Sequence, residues 1–290
     1  MHPPDKLERM KIKYWKYHAL SNDFIVLEAA VNRTLSSRSI SGLTKEICHR
    51  RTGVGADGVL WLSKSRKADC RMDVYNADGG WAEKSGNGLR ICALHLSQKR
   101  RRKRYFAIET GTSVDQVRII RRSDGGGIVH TELGEPTFEA KTVPVRSRRK
   151  YVINSPIRIG GFSIPMTCLA VGNPHAVVLV DSFDFDWRAL GAEIETARVF
   201  PRRTNVEFVR RVNRRKLQLC EWERGAGATG SSGTGAAAAV CAMVVLGLAE
   251  RRCRVEFAAG ALDVDWNKDT NLVELTGPAQ FITHGEFEYR

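Results

Sequence analysis

Residues 236–248 carry no charged side chain, and they follow directly on Ser232-Gly233-Thr234-Gly235. The run is too long for a typical strand, and its alanines favour helix. A helix that is apolar all round has to be buried on every side. Its natural wrapping is a curved sheet. The same signature occurs earlier, where Ser85-Gly86-Asn87-Gly88 leads into Leu89, Arg90, Ile91, Cys92, Ala93, Leu94, His95 and Leu96. Strand-like runs flank the first helix at 24–28, 59–62, 72–75, 114–120 and 128–133. Others flank the second at 176–180, 206–209, 217–221, 255–257, 262–266 and 272–275. Turn residues such as Asp78-Gly79 and Gly125-Gly126 separate them. The chain therefore reads as α+β, two similar domains that each wrap a curved sheet around a central helix, with a cleft between them. The expected N-terminal domain is 1–133, completed by 276–290, and the C-terminal domain is 134–275. A Pro- and charge-rich crossing falls at 134–150.

Composition narrows the function. A length of 290 residues fits two domains. No apolar run reaches the roughly 20 residues that span a bilayer. The first residues mix Lys, Arg, Asp and Glu, unlike a signal peptide. A cytoplasmic location is expected, with Met1 or Met10 as the start. Seven dispersed cysteines without a CxxC pair read as buried free thiols rather than a disulfide or metal framework. The net charge of +14 is densest at Lys99, Lys103 and the arginines between and after them. No stacking aromatics, helix-turn-helix or zinc pattern accompanies these blocks, so nucleic-acid binding ranks below a small-molecule role. The sequence leaves dimerisation open.

A helix N-terminus presents unpaired N–H groups and a positive dipole end, which suits a carboxylate. Two such starts packed face to face can grip one α-carboxylate from opposite sides. Ser85 and Ser232, which open the two turns, would then flank the substrate's α-carbon on opposite faces. Stereoinversion needs that arrangement, one group removing a proton and the other returning one. Serine is also a favoured helix cap, and a single such turn would be read that way. The duplication points to chemistry.

At these residues the sequence resembles the diaminopimelate epimerase family, over nearly its whole length. The likeness runs through Tyr17-His18-Ala19-Leu20-Ser21-Asn22-Asp23-Phe24, Thr52-Gly53-Val54-Gly55-Ala56-Asp57-Gly58, Asn76-Ala77-Asp78-Gly79 and Glu83-Lys84-Ser85-Gly86-Asn87-Gly88. It continues in Gly172-Asn173-Pro174-His175, Thr204-Asn205-Val206-Glu207-Phe208, Glu223-Arg224-Gly225-Ala226-Gly227 and Ser232-Gly233-Thr234-Gly235. Each block alone is weak, but eight in the family's order are highly specific. The resemblance implies a cofactor-independent amino-acid epimerase acting in lysine and cell-wall precursor synthesis. It places Asn22, Asn76, Asn173, Asn205 and Arg224 around the substrate, with Arg224 on its far carboxylate. Gly86, Asn87, Gly233 and Thr234 form the cradle for the reacting α-carboxylate. His175 and Glu223 match the residues that tune the catalytic pair.

That pair is cysteine in the family, where this chain has Ser85 and Ser232. If a hydroxyl ionises roughly five pH units above a thiol, forming the base costs about 7 kcal/mol more, or ~10⁵ in rate. Further departures are Ala19 and Ser21 in the first block, and Ala228 where the family usually carries Glu. Lys84, beside Ser85, reads as a surface substitution; the alternative is a Schiff-base lysine, although no pyridoxal-phosphate motif is apparent. The competing readings are an epimerase of LL- to meso-diaminopimelate, a non-racemase isomerase on the same fold, and a catalytically silent binding protein. The phenazine-biosynthesis isomerases, relatives that lack the cysteine pair, show that the fold tolerates its loss. Fold does not choose among these; the site does.

Overall fold

The computed structural model describes residues 10–35 and 39–289; Met1, the alternative start, lies outside them. The first half runs β1 (Met10–Ala19), β2 (Asn22–Glu28), α1 (Ile40–Ile47), β3 (Gly58–Ser63), β4 (Cys70–Asn76), β5 (Trp81–Ala82), α2 (Gly86–Lys99), β6 (Tyr105–Glu109), β7 (Val114–Ser123) and β8 (Gly126–Gly134). The second runs β9 (Ser155–Ile159), β10 (Phe162–Ala170), β11 (Pro174–Leu179), α3 (Trp187–Thr196), β12 (Asn205–Asn213), β13 (Lys216–Glu223), β14 (Gly227–Ala228), α4 (Gly233–Val245), β15 (Arg252–Phe257) and β16 (Gly260–Trp266). The long β17 (Val273–Tyr289) follows.

Pairing repeats between the halves. Strand β2 lies parallel to β3, β3 antiparallel to β4, β4 parallel to β6, and β6 antiparallel to β7. In the same order, β11 lies parallel to β12, β12 antiparallel to β13, β13 parallel to β15, and β15 antiparallel to β16. The fold is α+β, a curved sheet around one central helix in each half. Residues 236–243 of α4 are fully buried, as the absence of charge requires. Leu89, Ile91, Cys92 and Ala93 of α2 are equally inaccessible. Both helices contribute to one continuous apolar cluster. Helix α4 spans Gly233–Val245 rather than 236–248: its glycines already belong to the first turn, and the chain turns away through Gly247 at φ +71°. Among the described residues no helix is long and apolar enough to cross a membrane.

Strand β1 was not expected. Its lysines mask a strand whose buried face changes along its length: Ile12 joins one apolar cluster, while Tyr17 and Ala19, past a register shift after Lys16, join another. It pairs along most of its length with Gln280–Tyr289 of β17, a strand that also pairs with β16 and β8. Lys99 of the basic run pairs with Glu28, while Arg100 and Lys103 share Asp69.

Candidate active site

Ser85 and Ser232 are both extended residues at helix starts, with φ/ψ of −138°/117° and −122°/132°. The Ser85 hydroxyl oxygen accepts the Gly88 N–H at 3.0 Å, and that of Ser232 accepts the Gly235 N–H at 3.2 Å. These are N-cap bonds, and they leave each O–H free to point elsewhere. The two helices meet start to start: a Cβ placed on either Gly86 or Gly233 would lie 3.2 Å from the other's Cα. A side chain at either position would push the other backbone back by a few tenths of an ångström, so the glycines permit the approach, and both positive dipole ends converge on one spot.

At that spot opens a cavity of about 300 Å³. Ser85, Gly86 and Asn87 line it from α2, and Ser232, Gly233 and Thr234 from α4. Asn22, Asn76, Asn173, Asn205, Glu223 and Arg224 complete a predominantly polar wall. His175 does not reach it. That ring is fully buried, with Nδ1 2.6 Å from Glu207 Oε1 and Nε2 2.7 Å from Asn173 Oδ1. Its influence on the cavity passes through Asn173.

Fixed bonds orient the asparagines. Asn87 donates to Asn22 Oδ1 (2.9 Å) and to the Ser231 carbonyl (2.7 Å), tying the first half to the second. Asn87 Oδ1 accepts from Arg90 at 2.5 Å. Arg90 is fully buried, and among the described residues it pairs with no carboxylate; its other acceptors are the carbonyls of Gly86 and Pro278. Burial lowers the Arg90 guanidinium to about 9. An uncompensated cation beneath two helix starts reinforces an anion site. Asn22 donates to Asp57, itself held by Arg50. Asn205 accepts the Arg224 backbone N–H at 2.9 Å and donates to the Pro174 carbonyl. The Arg224 guanidinium reaches across to Glu83 Oε2 at 2.5 Å, so an internal carboxylate occupies the fork.

Lys84 corrects the sequence reading. It is not a surface residue: its side chain is 2% exposed, and Nζ lies 2.5 Å from Asp115 Oδ1 and 2.9 Å from the Leu133 carbonyl. The residue also lines the cavity, but its ammonium is engaged by a carboxylate and a backbone carbonyl. Its stem packs against Gly172, where an added Cβ would come within 3.0 Å of Lys84 Cδ.

Several contributors were missed. Asp57, Glu83 and Glu207 sat inside the quoted blocks without a role, and Thr229 and Glu221 were not singled out. Thr229 Oγ1 lies 2.5 Å from Glu223 Oε1 and 3.1 Å from Glu221 Oε1. Burial pushes Glu223 up to about 7, with the Glu207 charge adding to the effect. Burial raises Glu207 and, more strongly, Glu221.

Comparison with known proteins fits this geometry. The family model for diaminopimelate epimerase matches residues 14–139 and 167–282. A diaminopimelate epimerase of Carboxydothermus hydrogenoformans is 36% identical, covering 95% of this chain and 99% of its own. That of Moorella thermoacetica is 35% identical, covering 94% and 98%. Among solved structures, a hydroxyproline epimerase from Agrobacterium vitis matches with a TM-score of 0.70 at 13% identity, covering 98% of this chain and 93% of its own. A phenazine biosynthesis protein of the PhzF family from Bacillus anthracis gives 0.67 at 13%, covering 96% and 99%. These two share the fold. With the sequence match running through both halves and both helix starts, the chain belongs to the diaminopimelate epimerase family and is an isomerase of the epimerase and racemase type.

Proposed function

We propose that the cavity binds diaminopimelate and inverts one α-carbon between the LL and meso forms, with Ser85 and Ser232 as weak bases on opposite faces. The meeting of the two helix starts carries this reading, because it offers one carboxylate N–H groups from both sides. Arg224 receives the far carboxylate, which displaces Glu83 from the guanidinium. The asparagines accept and donate to the ammonium and carboxylate groups of a zwitterion. Because neither hydroxyl ionises readily, turnover is slow. In deuterium oxide, LL-diaminopimelate should lose its α-proton signal over days rather than minutes; rapid loss would show that serine is an adequate base here.

Arg224→Lys keeps the charge and loses the planar fork. Affinity for diaminopimelate by titration calorimetry should fall about 10–100-fold, the range for a charged hydrogen bond. An unchanged affinity would remove Arg224 from the far-carboxylate role.

One observation favours a second reading. Glu223 lines the cavity and titrates near neutrality, whereas Asn76 occupies the matching place on β4. A near-neutral carboxylate at this matched position on one side only suits a proton-shift isomerase better than an inverting one. Exchange of substrate α-protons with retained configuration would support it.

A further inference from the structure

The strand registers relate the two halves residue by residue, and one matched pair differs in kind. Leu60 faces Val74 across β3 and β4. At the equivalent place in the second half, Glu207 faces Glu221 across β12 and β13. Each pair underlies the last glycine of a helix start. A Cβ on Gly88 would lie 2.9 Å from Leu60 Cδ2, and a Cβ on Gly235 would lie 2.7 Å from Glu221 Oε2 and 3.2 Å from Glu207 Oε1. The floor beneath Ser85 is thus aliphatic, while the floor beneath Ser232 holds two carboxyl groups that are 1% and 2% exposed.

Hydrogen-bond arithmetic then fixes a proton. Thr229 has one hydroxyl hydrogen and stands between Glu221 Oε1 and Glu223 Oε1, at 3.1 and 2.5 Å. It can donate to only one of them. The other contact is favourable only if that carboxyl donates to the Thr229 oxygen, and so carries a proton. Glu221 Oε2 has no hydrogen-bond partner among the described residues, which a neutral carboxyl tolerates far better than a charged one.

We propose that Glu221 and Glu223 share one proton across the Thr229 hydroxyl, making Glu221 a positioning residue that switches the cavity-facing Glu223 between base and acid. With the proton on Glu221, that acid donates to Thr229, Thr229 donates to Glu223, and Glu223 is an ionised base. To switch, the O–H bond on Glu221 breaks as one forms on Thr229 Oγ1. The original Thr229 O–H breaks as one forms on Glu223. One proton moves and no electrons are transferred. Glu223 is then an acid without drawing on solvent.

The groups facing this pair agree. Glu223 feels Glu207, His175 and Asp57, and Glu221 feels Glu223 and Glu207. Negative charge predominates, so one proton is retained near neutral pH. The role as catalyst rests on the epimerase or isomerase reading above, but the shared proton does not.

The experiment is carbon-13 NMR of the full chain labelled at glutamate Cδ, titrated with pH, with Glu221→Gln and Thr229→Val used for assignment and perturbation. The expected result is one proton held by the pair at pH 6–7, lost in a step shared by both resonances. Glutamine mimics the neutral acid and supplies no proton, so Glu221→Gln should collapse the shared step into a single transition of Glu223. Thr229→Val should separate the two resonances into independent transitions. Ordinary carboxylate titrations at both positions, or a shared step unchanged by Thr229→Val, would overturn the proposal. If the shared proton is found but no substrate undergoes α-proton exchange, it is the enzymatic reading that fails. A native-like fold in both variants is checked by the amide spectrum, and loss of fold in one leaves the wild-type titration and the other variant to decide.

Discussion

Restoring both thiols, Ser85→Cys with Ser232→Cys, is expected to raise the rate of α-carbon inversion by ~10⁵. The reason is ionisation. A thiol loses its proton near 8.5 in water, and a helix N-terminus lowers that value. Both positions are helix caps that face one cavity, so both thiols gain from the dipole and from the N–H groups that hold each Oγ. Weakening each serine cap costs up to about 1 kcal/mol, small beside the gain in basicity. Inversion needs a group on each face, so each single variant, which keeps one serine, should invert far more slowly than the double variant, although each should exchange an α-proton readily from its own thiol side. Separation of LL from meso product by chiral chromatography measures this. No inversion by the double variant would refute the diaminopimelate assignment.

Breaking the buried ion pair should have the largest effect on stability. Lys84 Nζ and Asp115 Oδ1 meet at 2.5 Å, and Asp115 Oδ2 also accepts the hydroxyls of Thr110 (3.0 Å) and Ser113 (2.9 Å). Asp115→Asn leaves an ammonium in the interior with only neutral acceptors, the new amide oxygen and the Leu133 carbonyl, and no compensating charge. Removing one partner of such a pair costs about 3–5 kcal/mol. Urea denaturation at pH 7 reads the loss; a change below about 1 kcal/mol would show that the charge is relieved in another way. Replacing both residues, Lys84→Met with Asp115→Leu, should recover much of the difference, since no charge is then stranded. Because Lys84 precedes Ser85 and packs on Gly172, the pair also braces the first helix start against the loop that carries Asn173.

Much of this architecture was legible because it depends on missing charge. A chargeless run after a serine–glycine turn has few homes, and its repetition gave both central helices and the strands around them. Elements whose burial is one-sided were harder to read. Lysines at 11, 13 and 16 concealed β1, and of the long β17 only the first residues showed a strand pattern. Lys84 was misread because a lone lysine usually means surface, and its partner Asp115 lies far away in sequence. Glu221 left a faint signal. Leu217, Leu219 and Glu221 share the inward phase of β13, and a carboxylate in an apolar phase marks a buried polar group. The family blocks located the wall of the cavity, but not that His175 stands behind it or that Glu83 holds Arg224.

The central claim is that one amino acid spans the cavity, its α-carboxylate at the paired helix starts and its far carboxylate on Arg224. The serine form suits a direct test, since the slow turnover proposed for it would leave the substrate intact during crystallisation. A crystal structure with LL-diaminopimelate should show α-carboxylate oxygens within ~3 Å of backbone N–H groups from both α2 and α4. Its α-carbon should lie between the Ser85 and Ser232 hydroxyls, with Arg224 turned from Glu83 to the ligand. A ligand bound with its α-carbon away from both serines, or a cavity left empty at saturating diaminopimelate, would contradict it.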